Sequence, residues 1–128
     1  MTEMEQFQQS LARRQHALQQ MDDDLQWLID QPAGTYVWTG THRDLIEMID
    51  IVWHQGVCLD GQARPLSKRT LASRAFRAIG KEPPRQLSRT IQRIRDRQSP
   101  TLSILYRYEH LHAPQPAKRI IHRFLATA

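Results

Sequence analysis

Apolar residues recur along residues 2–30 with a heptad rhythm. With Met4 at position a, the a and d places read Met4, Phe7, Leu11, Arg14, Leu18, Met21, Leu25 and Leu28. Seven of the eight are apolar, and the stretch holds neither glycine nor proline. One long amphipathic helix follows from that pattern. The stripe suits packing on its own domain as well as pairing with a second chain, although Arg14 in a d place weakens a coiled-coil reading. Asp22-Asp23-Asp24 reads as a solvated helix surface. Gln31-Pro32-Ala33-Gly34 ends the helix, and Tyr36-Val37-Trp38 is a short extended stretch.

A second start signal stands at Thr41, which can cap a helix while Asp44 favours the positive end of its dipole. Leu45, Ile46, Ile49, Val52 and Trp53 then recur on one face, and Gly56 suits the C-terminal cap. These bounds predict a core helix over 42–55. Residues 57–66, with Asp60-Gly61 and Pro65, read as a turn region with room for a short strand on either side. Ser67 caps the next helix, 68–79, whose Leu71, Ala72, Ala75, Phe76 and Ile79 share a face. Gly80 stops it. After a short connector the spacing predicts a helix over 84–98, with proline tolerated in its first turn. Leu87, Ile91 and Ile94 centre one face of it, while Arg85, Arg89, Gln92, Arg93 and Asp96 cluster on the other.

Ser99-Pro100 resembles another capped start, and residues 101–112 favour a helix. A wing strand competes there, because Leu102, Ile104, Tyr106 and Tyr108 alternate. Ala113-Pro114-Gln115-Pro116 links to a last basic amphipathic helix over 118–125, carrying Ile120, Ile121, Phe124 and Leu125. Its Lys118, Arg119 and Arg123 would add phosphate contacts. The expected fold class is therefore all-α, with room for one short β-hairpin: a long N-terminal helix, then a helix-turn-helix or winged-helix-like domain. The expected division is 1–35, a packing or dimerisation helix; 36–112, the helix-turn-helix domain; and 113–128, the C-terminal helix.

Charge changes the picture because it is sorted by position. Residues 1–63 hold three Lys/Arg against ten Asp/Glu, whereas residues 64–97 hold eleven against two. Residues 98–128 hold four against one, within a chain of 128 residues and formal net charge +5. A basic block concentrated on a pair of short helices is the footprint of a polyanion partner. The alternative is a solvated basic face with no partner. No apolar run approaches the roughly 20 residues of a membrane span, and the acids near the N-terminus are unlike a secretion signal. Cys58 is the only cysteine, so no intrachain disulfide can form and the cytoplasm is the expected compartment.

Two short helices, the second rich in arginine, match a helix-turn-helix. Arginine reads guanine O6/N7 bidentately or grips phosphate, and glutamine pairs with adenine. Arg85, Arg89, Gln92 and Arg93 are therefore the expected base-reading residues, with Lys68, Arg69, Arg77, Lys81 and Arg97 on phosphates. The rival is a structural helix whose arginines pair with acids elsewhere, such as those of the first helix. Enzyme chemistry finds little support: the chain lacks a glycine-rich phosphate loop and a nucleophile elbow. His54, Cys58, His110 and His112 do not follow a standard zinc spacing. Glu47 and Asp50 read as the polar side of the 42–55 helix and not as a catalytic pair. No cofactor, metal or small-molecule substrate is expected.

Residues 36–112 also carry a family resemblance. Trp38-Thr39-Gly40-Thr41, Asp44-Leu45-Ile46-Glu47-Met48-Ile49, Gly56 and Gly61, Phe76, Arg89-Thr90 and Ile94-Arg95-Asp96-Arg97 together resemble the C-terminal domain of the RteC proteins. Those are regulators linked to tetracycline-induced excision of conjugative transposons. The resemblance implies a helix-turn-helix or winged-helix DNA-binding domain that activates excision genes. Family members are longer at the N-terminus, and Gln86-Leu87-Ser88 stands here where the family has a pair of aromatics. Trp38 itself reads as a plug at the edge of a core.

Two readings of function result. In the first, the chain is a DNA-binding regulator or accessory factor acting on double-stranded DNA, with a homodimer through the N-terminal helix as an option. In the second, it is a protein-interaction module whose basic block answers an acidic partner. RNA ranks lower, because the basic block lacks an exposed aromatic cluster for base stacking.

Overall fold

The computed structural model describes residues 2–97 and 103–128, apart from the side chain of Arg97. It contains α1 (Glu3–Ile29), β1 (Tyr36–Trp38), α2 (His42–Gln55), α3 (Lys68–Ala78), α4 (Leu87–Arg97) and α5 (Ile104–His110). A short 3-10 helix, Ile120–Phe124, then leads into β2, Leu125–Thr127. The fold is all-α with one small antiparallel sheet. None of the described helices is long and apolar enough to cross a membrane.

Side-chain caps set most of the boundaries. The hydroxyls of Thr2, Thr41, Ser67 and Ser103 each accept a hydrogen bond from the backbone N–H three residues on. That satisfies a donor left unpaired at a helix start. Gly56, at φ 69°, closes α2 in the left-handed conformation that favours glycine. One contiguous core then joins α1 at Met21, Leu25 and Leu28 to α2 at Leu45, Met48, Ile49 and Val52. Leu71, Ala75 and Phe76 of α3, Ile104 and Tyr108 of α5, and Ile121 complete its centre. Each fully buried side chain of this size contributes about 1.5–3 kcal/mol.

The sheet is not where the sequence suggested. Around Asp60-Gly61 only a single bridge forms, between Leu59 and Pro65. The Asp60 carboxylate accepts from the N–H groups of both Gln62 and Arg64, holding a tight loop instead of two strands. The strands that do pair are distant in sequence: Tyr36 faces Thr127 and Trp38 faces Leu125. The C-terminal helix expected over 118–125 is therefore absent, replaced by the 3-10 helix and β2. Its apolar spacing is used differently: Ile120, Ile121 and Phe124 are buried, and the Phe124 carbonyl accepts from the Thr39 N–H at 2.7 Å.

Trp38 does plug the core edge. It is buried, stacks on Phe124 with ring centroids 5.3 Å apart, and donates from its indole N–H to the Thr41 carbonyl at 2.8 Å. Gly40 lies against this pair; a Cβ there would meet Trp38 Nε1 at 3.1 Å and Phe124 at 3.3 Å. The Trp38-Thr39-Gly40-Thr41 run is thus a packing and capping device.

Two acidic stretches expected on the surface are inside. Asp22 and Asp24 are only 5% and 4% exposed, leaving Asp23 as the solvated member of the triplet. Asp24 accepts from the Tyr108 hydroxyl at 2.8 Å, the Ile121 N–H at 3.1 Å and the Arg119 guanidinium at 3.4 Å. It therefore locks α1 to α5 and to the 3-10 helix, and Arg119 reaches it from the surface. Glu47 and Asp50 of α2 are also buried. Glu47 accepts from the Ile104 N–H at the start of α5, and Asp44 ion-pairs with Arg107 on the same helix. The chain between 104 and 110 is helical, as favoured over a wing strand; the Ser99-Pro100 start and Leu102 lie outside the described residues.

Candidate nucleic-acid interface

α4 is held by its apolar face and by one polar tie, from Arg95 to Asp50 of α2. Leu87, Ile91 and Ile94 are 6%, 4% and 8% exposed, and the helix packs on α2. Ser88, Arg89, Gln92, Arg93, Arg95 and Asp96 are exposed. The helix begins at Leu87, three residues later than the sequence suggested, so Arg85 sits in the turn before it and not on its surface. The cause is Pro83-Pro84, which lack N–H donors and hold the preceding backbone extended. The α3–α4 connector consequently runs from Ile79 to Gln86, longer than the tight turn expected. Gly80, at φ 69°, makes its first bend, and the Arg69 guanidinium donates to the Pro84 carbonyl at 2.8 Å to tie it to α3.

Six of the expected site residues line two adjoining clefts. One open cleft is lined by Arg69, Arg77, Lys81 and Arg85, together with Ser73 and Gly80. A second is walled by Lys68, Arg69, Arg85 and Arg89, with Gln86 and Ser88 beside them. Arg69 and Arg85 belong to both, so the two clefts form one basic strip from the end of α3 to the first turn of α4. Arg93 lies one helical turn beyond Arg89 and extends the row. Glu82 is the one carboxylate among the described residues lining the strip.

The cations differ in how free they are. Among the described residues, no carboxylate ion-pairs with Arg85, Arg89 or Arg93. Gln92 donates to Asp96 one turn on, at 2.9 Å, a solvent-exposed bond worth a few tenths of a kcal/mol. Lys68 is tied up: its ammonium lies 2.9 Å from Asp50 Oδ1 and 4.2 Å from the centre of the Trp53 ring. Arg95 reaches the other oxygen of Asp50 at 2.8 Å. Burial works to raise the Asp50 pKa, but the bonds and charges of Lys68 and Arg95 prevail and hold it below 3.8. Arg123 is likewise engaged, with the His112 carbonyl. The side chain of Arg97 lies outside the described residues.

Gln86 and Ser88, which line the second cleft, were not among the expected contacts, because a helix begun at residue 84 placed them within its first turns. The Pro83-Pro84 pair was the signal that would have found them. The Asp50 junction joining α2, α3 and α4 was also missed, since no local spacing connects Asp50 to Arg95.

The histidine and cysteine candidates do not converge. His54 Nδ1 lies 2.7 Å from the Asp50 carbonyl oxygen, Cys58 is buried, and its thiol is pushed up to about 11 by burial and by the charges of Asp22 and Asp30. Among the described residues, no three His, Cys, Asp or Glu side chains stand close enough to share a metal ion.

Compared with protein-family models, curated proteins and solved structures, the chain matches none.

Proposed function

We propose that this chain binds double-stranded DNA, laying α4 in the major groove as a transcriptional regulator or accessory factor of the RteC kind. One observation carries the reading. Arg89 and Arg93 project from a helix pinned behind by three aliphatics, without the carboxylate partners that would mark a structural role. Arg89, Gln92 and Arg93 then face base edges, where a bidentate arginine discriminates by about 1–3 kcal/mol. Arg69, Arg77, Lys81 and Arg85, on the connector side, grip phosphates and set the register. Lys68 serves the fold instead. The resemblance of residues 36–112 to RteC proteins adds support for a role in conjugative-transposon regulation, in the cytoplasm and without catalysis.

Unbiased selection from random duplexes with the purified protein supplies the site. Titrations of that site at several salt concentrations then test the mechanism. With about six neutralised phosphates, log K falls against log salt with a slope of about −5. Arg89→Ala and Arg93→Ala each lower affinity about tenfold or more and relax the sequence preference. Weak binding that is flat with salt transfers the basic strip to an acidic protein partner.

A further inference from the structure

The heptad stripe of α1 is buried only in its C-terminal half. Met21, Leu25 and Leu28 are fully covered, but Leu11 is 44% exposed, Phe7 64% and Met4 65%. Every described residue from Thr2 to His16 is exposed, so α1 projects beyond the core by about four turns of unsupported helix. An isolated helix of that length is marginal in water. Its exposed seam is apolar, in continuous register with the core seam below it.

We infer that this projecting arm pairs antiparallel with the same arm of a second copy. The register follows from the residues. Centred near Gln9, an antiparallel pair sets Phe7 against the partner's Leu11 on both sides of the two-fold axis. Arg14, the one polar residue of the stripe, then falls opposite the partner's Met4 and beside the partner's Glu3. A d-place side chain lies toward the g side of its helix, and in an antiparallel pair the two g sides face each other. Glu3 occupies a g place, so its carboxylate meets the Arg14 guanidinium at each end of the interface. A parallel pair instead stacks Arg14 on Arg14 and leaves Glu3 facing a glutamine, Gln8. The polar d residue therefore specifies orientation, at a cost in affinity. Three apolar side chains per copy make a small interface, below about 1,200 Å² in total, which is the range of reversible association. A two-fold pair would present two α4 helices to symmetric half-sites, and each DNA contact would strengthen the other. The dimer itself does not depend on DNA.

Sedimentation velocity of the full chain without DNA, across the micromolar range, gives a reversible monomer–dimer equilibrium. Phe7→Glu with Leu11→Glu leaves a monomer at every concentration, with the thermal melting of the core retained because both side chains are exposed. Arg14→Glu lowers dimer affinity about tenfold or more by setting a second carboxylate beside the partner's Glu3. Adding Glu3→Arg to Arg14→Glu restores dimerisation. Restoration separates the two orientations, since a parallel pair would still oppose two identical charges at position 14. A wild-type chain that stays monomeric throughout, or a double variant that fails to regain the dimer, overturns the inference. Either result leaves the duplex titrations, which are read separately, unaffected.

Discussion

The acids of α1 and α2 and the bases of α4 are handled in opposite ways. Asp24, Glu47 and Asp50 are turned inward, each joined to groups far along the chain, and they act as joints between helices. Arg89 and Arg93 are turned outward, on a helix held by Leu87, Ile91, Ile94 and the Arg95–Asp50 pair, in none of which they take part. An ionisable group carries information about the fold when it is buried with partners, and about a ligand when the fold does not use it. Net charge by segment cannot separate the two; partners can.

The largest test of that contrast is Asp24→Ala. It strands the buried Tyr108 hydroxyl and the Ile121 N–H, and urea denaturation will show a loss of about 3 kcal/mol. Asp22 sharpens the contrast from the other direction. Burial, then repulsion from Asp23, raises its pKa from 3.8 to about 6, against the lowering effect of a hydrogen bond with Gln55. The folded state consequently holds more proton than the unfolded one across that interval, and this group's contribution to stability falls as pH rises through it. Asp22→Asn therefore stabilises the protein by about 2 kcal/mol at pH 7, and the gain disappears by about pH 4, as thermal melts at the two values will show.

Asp50→Asn is a smaller loss, about 1 kcal/mol at neutral pH, because Lys68 and Arg95 are partly solvated and salt screens them. Its folded pKa is depressed, so the stabilisation it gives is present above 3.8 and lost as pH falls through the more acid folded value; melts of wild type and variant converge there. Smallest of all is the stability effect of Arg89→Ala or Arg93→Ala, within about 0.5 kcal/mol. A larger loss would mean that α4 uses these arginines to fold.

How much of this was legible in the sequence depends on how local each cause is. α2 was readable to the residue, because Thr41, Gly56 and the one-face spacing of Leu45, Ile49 and Val52 all act within one helix. The buried face of α4 followed from Leu87, Ile91 and Ile94 for the same reason. The stretch 118–125 misled because Ile120, Ile121, Phe124 and Leu125 fit helical spacing, while the partner that makes β2 a strand is Tyr36–Trp38. Asp22 and Asp24 misled similarly: the groups that make burial tolerable, Gln55, Tyr108 and Ile121, belong to other elements. For the candidate site, the concentration of cations was visible, but the meeting of Arg69, Arg85 and Arg89 was not, because it depends on the connector that Pro83-Pro84 extends. That Lys68 and Arg95 converge on Asp50 depends on three helices meeting.

The pairing of β1 with β2 has a consequence for how the protein comes into being. Trp38 is synthesised well before its cover, because the strand that flanks it and the ring that stacks on it come from residues 124–127. Until the ribosome delivers those residues, the indole lacks its cover and the edge of β1 is an open template for other chains. Closing so long a loop is among the slower steps available to a small helical protein. Nascent chains stalled before Leu125 should therefore be the forms that chaperones hold and proteases cut.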